Sequence, residues 1–275
     1  MIETIAEIGW NHLGNMDLAE EMIGSAANAG ATYAKFQTWK TTNLIPGPWD
    51  NDGRRELYKK AELTSENHVR LKAFCDSCQI KFLTSVFSED CVDLVRSLTD
   101  VVKIPSPEIA NKQLLHCVVE ANFAKIFLST GASRSWEIDE ALNILSGQNL
   151  VLMHCVSCYP CPSDLANLEK IDWLKKKHTN VGYSGHVEGI MDALASIQYG
   201  IVAIEKHFTI DKTLSGRDNQ FAIVPDQLTF LVEYIKKHEE MCKLKSIESF
   251  QEEDVVRTVY RGRWGANDYK GLLKK

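Results

Sequence analysis

Two histidines and two lysines define the chemistry this chain could do. His186 closes the string GYSGH and His207 sits in EKHFT, while Lys35 lies in AKFQT and Lys103 opens KIPSPE. Each stands at or near the end of a short apolar run of the kind that makes a buried strand. Imidazoles on neighbouring strands can share one divalent ion whose shell is completed by water and substrate oxygens. That arrangement suits Mn, Mg, Co or Fe rather than a closed structural zinc site. A lone strand-end histidine is ordinarily just hydrogen-bonded; two beside an anion site favour the ion. The two ammonium groups, ringed by Ser85, Ser106, Ser129, Ser157 and Ser184, make a site for a small phosphorylated and carboxylated anion. Lysine acts there as a point charge and the hydroxyls fix orientation. Taken singly, each lysine could instead be ion-paired with a nearby glutamate. Glu7, Gln37, Thr84, Glu108, Thr130, Tyr159 and Glu205 also fall at strand ends. Burying such a set unpartnered costs several kcal/mol for each charge, which a converging ligand would offset.

The elements that must position these residues can be counted. Strand-like runs cover residues 4–8, 33–37, 81–85, 101–104, 125–129, 150–155, 181–184 and 202–208. Helical spacing follows each, over 17–29, 65–78, 89–97, 112–121, 133–145, 168–176, 191–199 and 225–243. Eight strand–helix units with right-handed crossovers predict a closed α/β barrel of the (β/α)8 TIM type, with an open doubly wound sheet as the competing arrangement. Chemistry in such a barrel collects at the C-terminal ends of the strands, where these polar residues fall. One barrel domain is expected over 1–245, with a tail over 246–275. The long connection 40–64, with Pro46, Gly47, Pro48 and Gly53, reads as a functional lid.

Composition narrows the partners. The formal charge of −6 offers no general attraction for nucleic acid or an anionic membrane, so neither is expected. No run approaches the roughly 20 apolar residues of a membrane span, and the N-terminus lacks a leader pattern, which points to the cytoplasm. Eight cysteines in a chain of 275 residues read as reduced thiols. Cys155, Cys158 and Cys161 do form C-x2-C-x2-C, and Cys75 and Cys78 a further C-x2-C, spacings that could hold zinc or an iron–sulfur cluster. Because Cys75 and Cys78 fall in a helix distant from the strand-6 loop, free thiols are the preferred reading.

These residues sit in strings that resemble the N-acetylneuraminate (sialic acid) synthase family, which includes legionaminic and pseudaminic acid synthases. The strings are AEIGWNHLGN at 6–15, AKFQT at 34–38, FLTSVFS at 82–88, KIPSPEIAN at 103–111, LSTGAS at 128–133, HCVSCYPCP at 154–162, GYSGH at 182–186 and EKHFT at 205–209. They run in the family's order over almost the whole chain. The resemblance implies a barrel enzyme that condenses phosphoenolpyruvate with an N-acylated amino-sugar aldehyde, N-acetylmannosamine-like, to give a sialic-acid-type acid and phosphate. It implies a divalent metal, Mn first with Mg or Co as alternatives, on His186 and His207. Glu7 would handle protons, and Glu108 would either do so too or support the site from behind. Lys35, Lys103, Ser85, Ser106, Ser129 and Ser184 would hold phosphoenolpyruvate, Gln37, Tyr159 and Asp218 would contact the sugar, and Thr130 and Ser157 would belong to the same substrate-binding set.

Some positions depart from the family pattern. Ser157 stands where some members have Asn, Pro107 replaces a common glycine, and GYSGH lacks the carboxylate that often precedes the first metal histidine. Family members usually continue into a small antifreeze-like domain that lends an arginine to the partner's sugar site. Here VVRTVYRGRWG resembles the start of the linker to that domain. The expectation is therefore a homodimer whose sugar is held by Arg217, Arg261 or Arg263, or by a separate antifreeze-like chain. The alternative function is a non-catalytic or partner-dependent barrel subunit.

Overall fold

A computed structural model of the chain describes residues 2–264. Among them, eight parallel strands close into a barrel in the order β1 to β8, so the doubly wound alternative falls away. The strands are β1 (Glu3–Gly9), β2 (Tyr33–Thr38), β3 (Lys81–Val86), β4 (Val101–Ile104), β5 (Lys125–Ser129), β6 (Leu150–Cys155), β7 (Val181–Gly185) and β8 (Ala203–His207). The predicted strands differ from these by a residue or so at their ends, where fraying makes bounds soft.

Helices wrap the outside: α1 (Met16–Asn28), α2 (Arg54–Ala61), α3 (Ser65–Ser77), α4 (Val92–Leu98), α5 (Lys112–Glu120), α6 (Ser135–Ile144), α7 (Lys170–Lys175), α8 (Met191–Ser196) and α9 (Pro225–Cys242). Local chemistry starts several of them. The Asn15 side chain accepts from the amides of Asp17 and Leu18, and Thr64 and Asn67 bond reciprocally at the start of α3. Each satisfies amide groups that a helix N-terminus leaves unpaired. The lid expected over 40–64 contains α2, which sequence periodicity did not predict. Gly14 lets the β1–α1 loop touch that helix: it has φ +79, and a Cβ there would lie 2.2 Å from the Lys60 carbonyl oxygen.

Alternation along the strands sorts the side chains into two faces. Outward residues such as Ile8, Phe36, Phe82, Ile104, Leu128, Leu152 and Ile204 pack beneath the helices in two large clusters. Inward residues Ile5, Tyr33, Leu83, Phe127, Val151, Met153 and Ala203 fill the barrel centre. They form an apolar plug, on which a polar upper layer rests.

The compact barrel unit runs to Lys236, and α9 crosses its boundary, whereas the sequence put the division at 245/246. From 237 onward the described chain finishes α9, then makes a 3-10 turn at Gln251–Glu253 and a π-helical turn at Val256–Tyr260. The end of the expected tail, 265–275, lies outside the described residues.

Phe127 is fully buried and meets Tyr33 edge-on at 5.9 Å. Phe127→Ala should therefore cost about 3–5 kcal/mol by chemical denaturation, and a loss near zero would mean the plug is not packed as described. His12, 1% exposed, accepts from the Gly14 amide and is pushed down to about 4 by burial. Between pH 6.5 and 4 the unfolded chain then holds the extra proton. The stability His12 contributes is complete above pH 6.5 and is lost as pH falls toward 4. The melting-temperature gap between wild type and His12→Gln should narrow over that window; a gap independent of pH would refute it.

Candidate active site

Four buried ions form the upper layer. Glu7, Lys35, Lys103 and Glu205 come from β1, β2, β4 and β8, and none is more than 4% exposed. Lys35 Nζ lies 2.6 Å from Glu7 Oε2 and 3.7 Å from Glu205 Oε1, and Lys103 Nζ lies 2.7 Å from Glu205 Oε1. Ser184 donates to the same Glu205 oxygen at 3.0 Å, and Gln37 Nε2 donates to Glu7 Oε1 at 2.5 Å. The ion pairs weighed for each lysine thus exist, and they converge on one place.

The two carboxylates respond in opposite directions. Burial lifts Glu7 to about 7, with Lys35 opposing the rise. Burial also presses Glu205 upward, but the Lys103 and Lys35 ammoniums override it and hold the group at about 2. Glu7 can therefore exchange a proton near neutrality while Glu205 stays ionised.

Above this layer opens a cavity of about 830 Å³. Glu7, Lys35, Gln37, Ser85, Lys103, Ser106, Ser129, Ser157, Tyr159, Ser184, His186, His207 and Asp218 all line it, as the sequence expected of a shared site. Two candidates do not. Thr130 is fully buried and spends its hydroxyl on the Met153 carbonyl at 3.1 Å. Glu108 sits outside the lining, accepting from Asn111 Nδ2 at 3.0 Å beside the start of α5. It follows β4 on a 3-10 turn, Ser106–Glu108, which turns Ser106 inward and leaves Glu108 half-exposed.

The imidazoles of His186 and His207 face each other with ring centroids 5.4 Å apart. Burial holds His186 down at about 4 and His207 well below its usual range, so both are neutral at pH 7. His186 Nδ1 bonds the Val156 carbonyl at 2.6 Å, which fixes that ring through one nitrogen. His207 Nδ1 and Glu205 Oε2 are buried without a hydrogen-bond partner. Asp218 Oδ2 is 3.3 Å from His207 Nδ1 but lacks hydrogen-bond geometry; burial raises Asp218 to about 6 and lowers His207, and both shifts work against a charged pair. Neutral imidazoles with an orphaned nitrogen fit a divalent ion. No three His, Cys, Asp or Glu side chains among the described residues form a ready cage, so water or substrate oxygens would complete the shell.

Several lining residues were not singled out as site residues from sequence. Glu205 is the central one: it sits two positions before His207, on the same strand face, and that spacing was the available signal. Trp10 donates to Asp218 at 2.6 Å and stacks on Tyr58 of α2 at 5.1 Å, which brings α2 to the mouth. Arg54, Phe87 and Phe221 also line the cavity, as does Arg217, which the sequence offers as a sugar-holding arginine. The C-x2-C-x2-C run is split: Cys155 Sγ contacts Ser106 Oγ at 3.0 Å within the barrel, while Cys158 and Cys161 bond loop carbonyls. None of the eight cysteines is in a disulfide.

Known proteins share this arrangement of sequence and fold. The chain is 38% identical over 251 residues to N,N'-diacetyllegionaminic acid synthase of Campylobacter jejuni, covering 85% of this chain and 75% of that protein. It superposes on the crystal structure of N-acetylneuraminic acid synthetase from Leptospira borgpetersenii with a TM-score of 0.85 and 30% identity, over 94% and 93% of the two chains. The spore coat polysaccharide biosynthesis protein SpsE of Bacillus subtilis matches with a TM-score of 0.77 and 32% identity, over 93% of this chain and 76% of that one. Residues 22–246 match the NeuB family, and with most of its length so covered the chain belongs to that family of barrel synthases.

Proposed function

We propose that this chain condenses phosphoenolpyruvate with an open-chain N-acylated amino-sugar aldehyde, N-acetylmannosamine-like, to give a nonulosonic acid and phosphate. The observation that carries this is the meeting of two buried ammonium groups, a ring of hydroxyls and two neutral imidazoles at one cavity. Phosphoenolpyruvate offers a phosphate and a carboxylate, and Lys35 and Lys103 would neutralise them while Ser85, Ser106, Ser129 and Ser184 orient them. The part of the cavity lined by Gln37, Ser157, Tyr159 and Asp218 would take the sugar.

In this reading C3 of phosphoenolpyruvate forms a bond to the aldehyde carbon, and the aldehyde oxygen takes up a proton. Water adds at C2 and loses one proton to leave a hydroxyl; the C2–O bond to phosphate then breaks as that hydroxyl gives up its proton to the departing phosphate, leaving the keto acid. Glu7, ionising near neutrality, would pass those protons, while Glu205 favours the charged form of both lysines against burial and fixes them. A divalent ion on His186 and His207, Mn with Mg or Co as alternatives, would polarise the aldehyde oxygen when bound. A homodimer and a cytoplasmic setting belong to the same proposal, supported by family likeness.

Phosphate release from phosphoenolpyruvate should require both Mn and an acceptor from a panel of mannosamine derivatives. His207→Ala should lower that rate by about a thousandfold or more with an unchanged circular dichroism spectrum. Equal rates in chelator-treated buffer would remove the metal from the proposal, and no turnover with any acceptor would remove the reaction.

A further inference from the structure

The strand that ends in His207 carries three consecutive ionisable residues, Glu205, Lys206 and His207. Alternation turns Glu205 and His207 into the barrel and Lys206 to its outer face. Lys206 is nevertheless only 3% exposed, and it takes no part in lining the cavity. Its ammonium bonds Asp192 Oδ1 at 3.0 Å, Asp192 Oδ2 at 2.9 Å and the Val187 carbonyl at 2.6 Å. Asp192 Oδ2 also accepts from the Tyr183 hydroxyl at 2.9 Å. The three N–H groups of Lys206 and the Tyr183 hydroxyl thus make four bonds to three acceptor oxygens, a satisfied buried network.

The backbone groups this network touches are the informative part. Gly185 is the register partner of Lys206 across β7 and β8. A Cβ on Gly185 would lie 2.2 Å from Asp192 Oδ2 and 2.6 Å from Tyr183 Cε1. The Asp192 carboxylate, delivered from α8, therefore rests on the backbone of the residue before His186, in space that only a glycine leaves. Val187, whose carbonyl Lys206 holds, is the residue after His186, and Lys206 itself precedes His207. One ion pair grips the chain on both sides of one imidazole and adjoins the other.

We propose that Lys206, Asp192 and Tyr183 are positioning residues, a latch outside the barrel wall that sets the spacing of His186 and His207 and so the affinity for the divalent ion. This rests on the reading of the two histidines as the ion's ligands. A buried ion pair adds little net stability over well-packed neutral residues. Groups that orient metal-binding histidines, by contrast, change metal affinity by about 10–100-fold when removed. The latch therefore predicts a loss of metal binding that is out of proportion to any loss of fold.

The test uses the full chain and the variants Lys206→Met, Asp192→Asn and the double Lys206→Met/Asp192→Asn, in which no charge is left stranded. Metal-free protein is titrated with Co(II) and followed by visible absorption, and hydrogen exchange is read by mass spectrometry over 182–190. The double variant should fold, bind Co(II) at least about tenfold more weakly, and exchange faster over the loop after β7. Its kcat should fall while KM for phosphoenolpyruvate stays within about twofold, since Lys35 and Lys103 are untouched. A folded double variant with wild-type Co(II) affinity, exchange and kcat, changed only in melting temperature, would overturn the latch. If wild-type protein takes up no Co(II), the metal reading falls by itself. Exchange and kcat then decide the latch, and wild-type values for both overturn it.

Discussion

Two ammonium groups and two carboxylates share the water-poor upper layer of the barrel, and their mutual neutralisation lets the wall close over them. Any one of these ions left alone would be costly to bury. Glu205 lies between both lysines and is held ionised, whereas Glu7 has one lysine and an amide and rises toward neutrality. The same four groups thus divide into a fixed charge and a proton-exchanging one. An anion entering this layer finds ammonium groups already oriented, so binding exchanges their partners rather than ordering free side chains. The rest of the fold is arranged around keeping that layer dry and in register.

Closure of the sheet is what makes the layer possible. Lys35 and Glu205 are far apart in the chain, yet β1 lies between their strands and pairs Glu7 with Lys35 on one side and with His207 on the other. An open sheet would leave β1 and β8 unpaired and Glu205 without its second lysine. The apolar plug of Phe127, Tyr33, Leu83 and Met153 then sets the floor. It keeps long lysine side chains from escaping downward to solvent, so their heads must meet at the top.

Much of this was legible in the sequence because strand and helix periods differ. Eight apolar runs separated by helical spacing specify parallel strands, and polar residues at the run ends specify which rim is chemical. Helix α2 was not legible, since RRELYKKA carries few apolar residues to mark a face and is held by contacts such as Trp39 Nε1 to the Tyr58 carbonyl. Glu205 was visible at a strand end but not as the hub, because its role comes from two lysines on strands distant in sequence. Glu108 misled in the other direction. It occupies a motif beside Ser106, but a tight 3-10 turn separates the two side chains, and no periodicity reports such a turn. Thr130, expected among the substrate-binding residues, spends its hydroxyl on a backbone carbonyl instead.

The outer wall shows the same logic from its other side. Its lower part is packed with Ile, Leu and Val, but near the C-terminal strand ends polar groups reappear beneath the helices. Thr38 bonds both His68 of α3 and Thr84, at 2.8 and 2.7 Å, with all three buried. Thr38 follows Gln37 and Thr84 precedes Ser85, so this contact pins the ends of β2 and β3 next to two cavity residues. Lys206 and Asp192 do so for β7 and β8. Apolar packing alone tolerates small slips of one surface over another, whereas a satisfied hydrogen-bond set in a buried place has one geometry. A barrel whose chemistry depends on distances between strand ends gains from placing such contacts behind those ends, where they constrain the wall without entering the cavity.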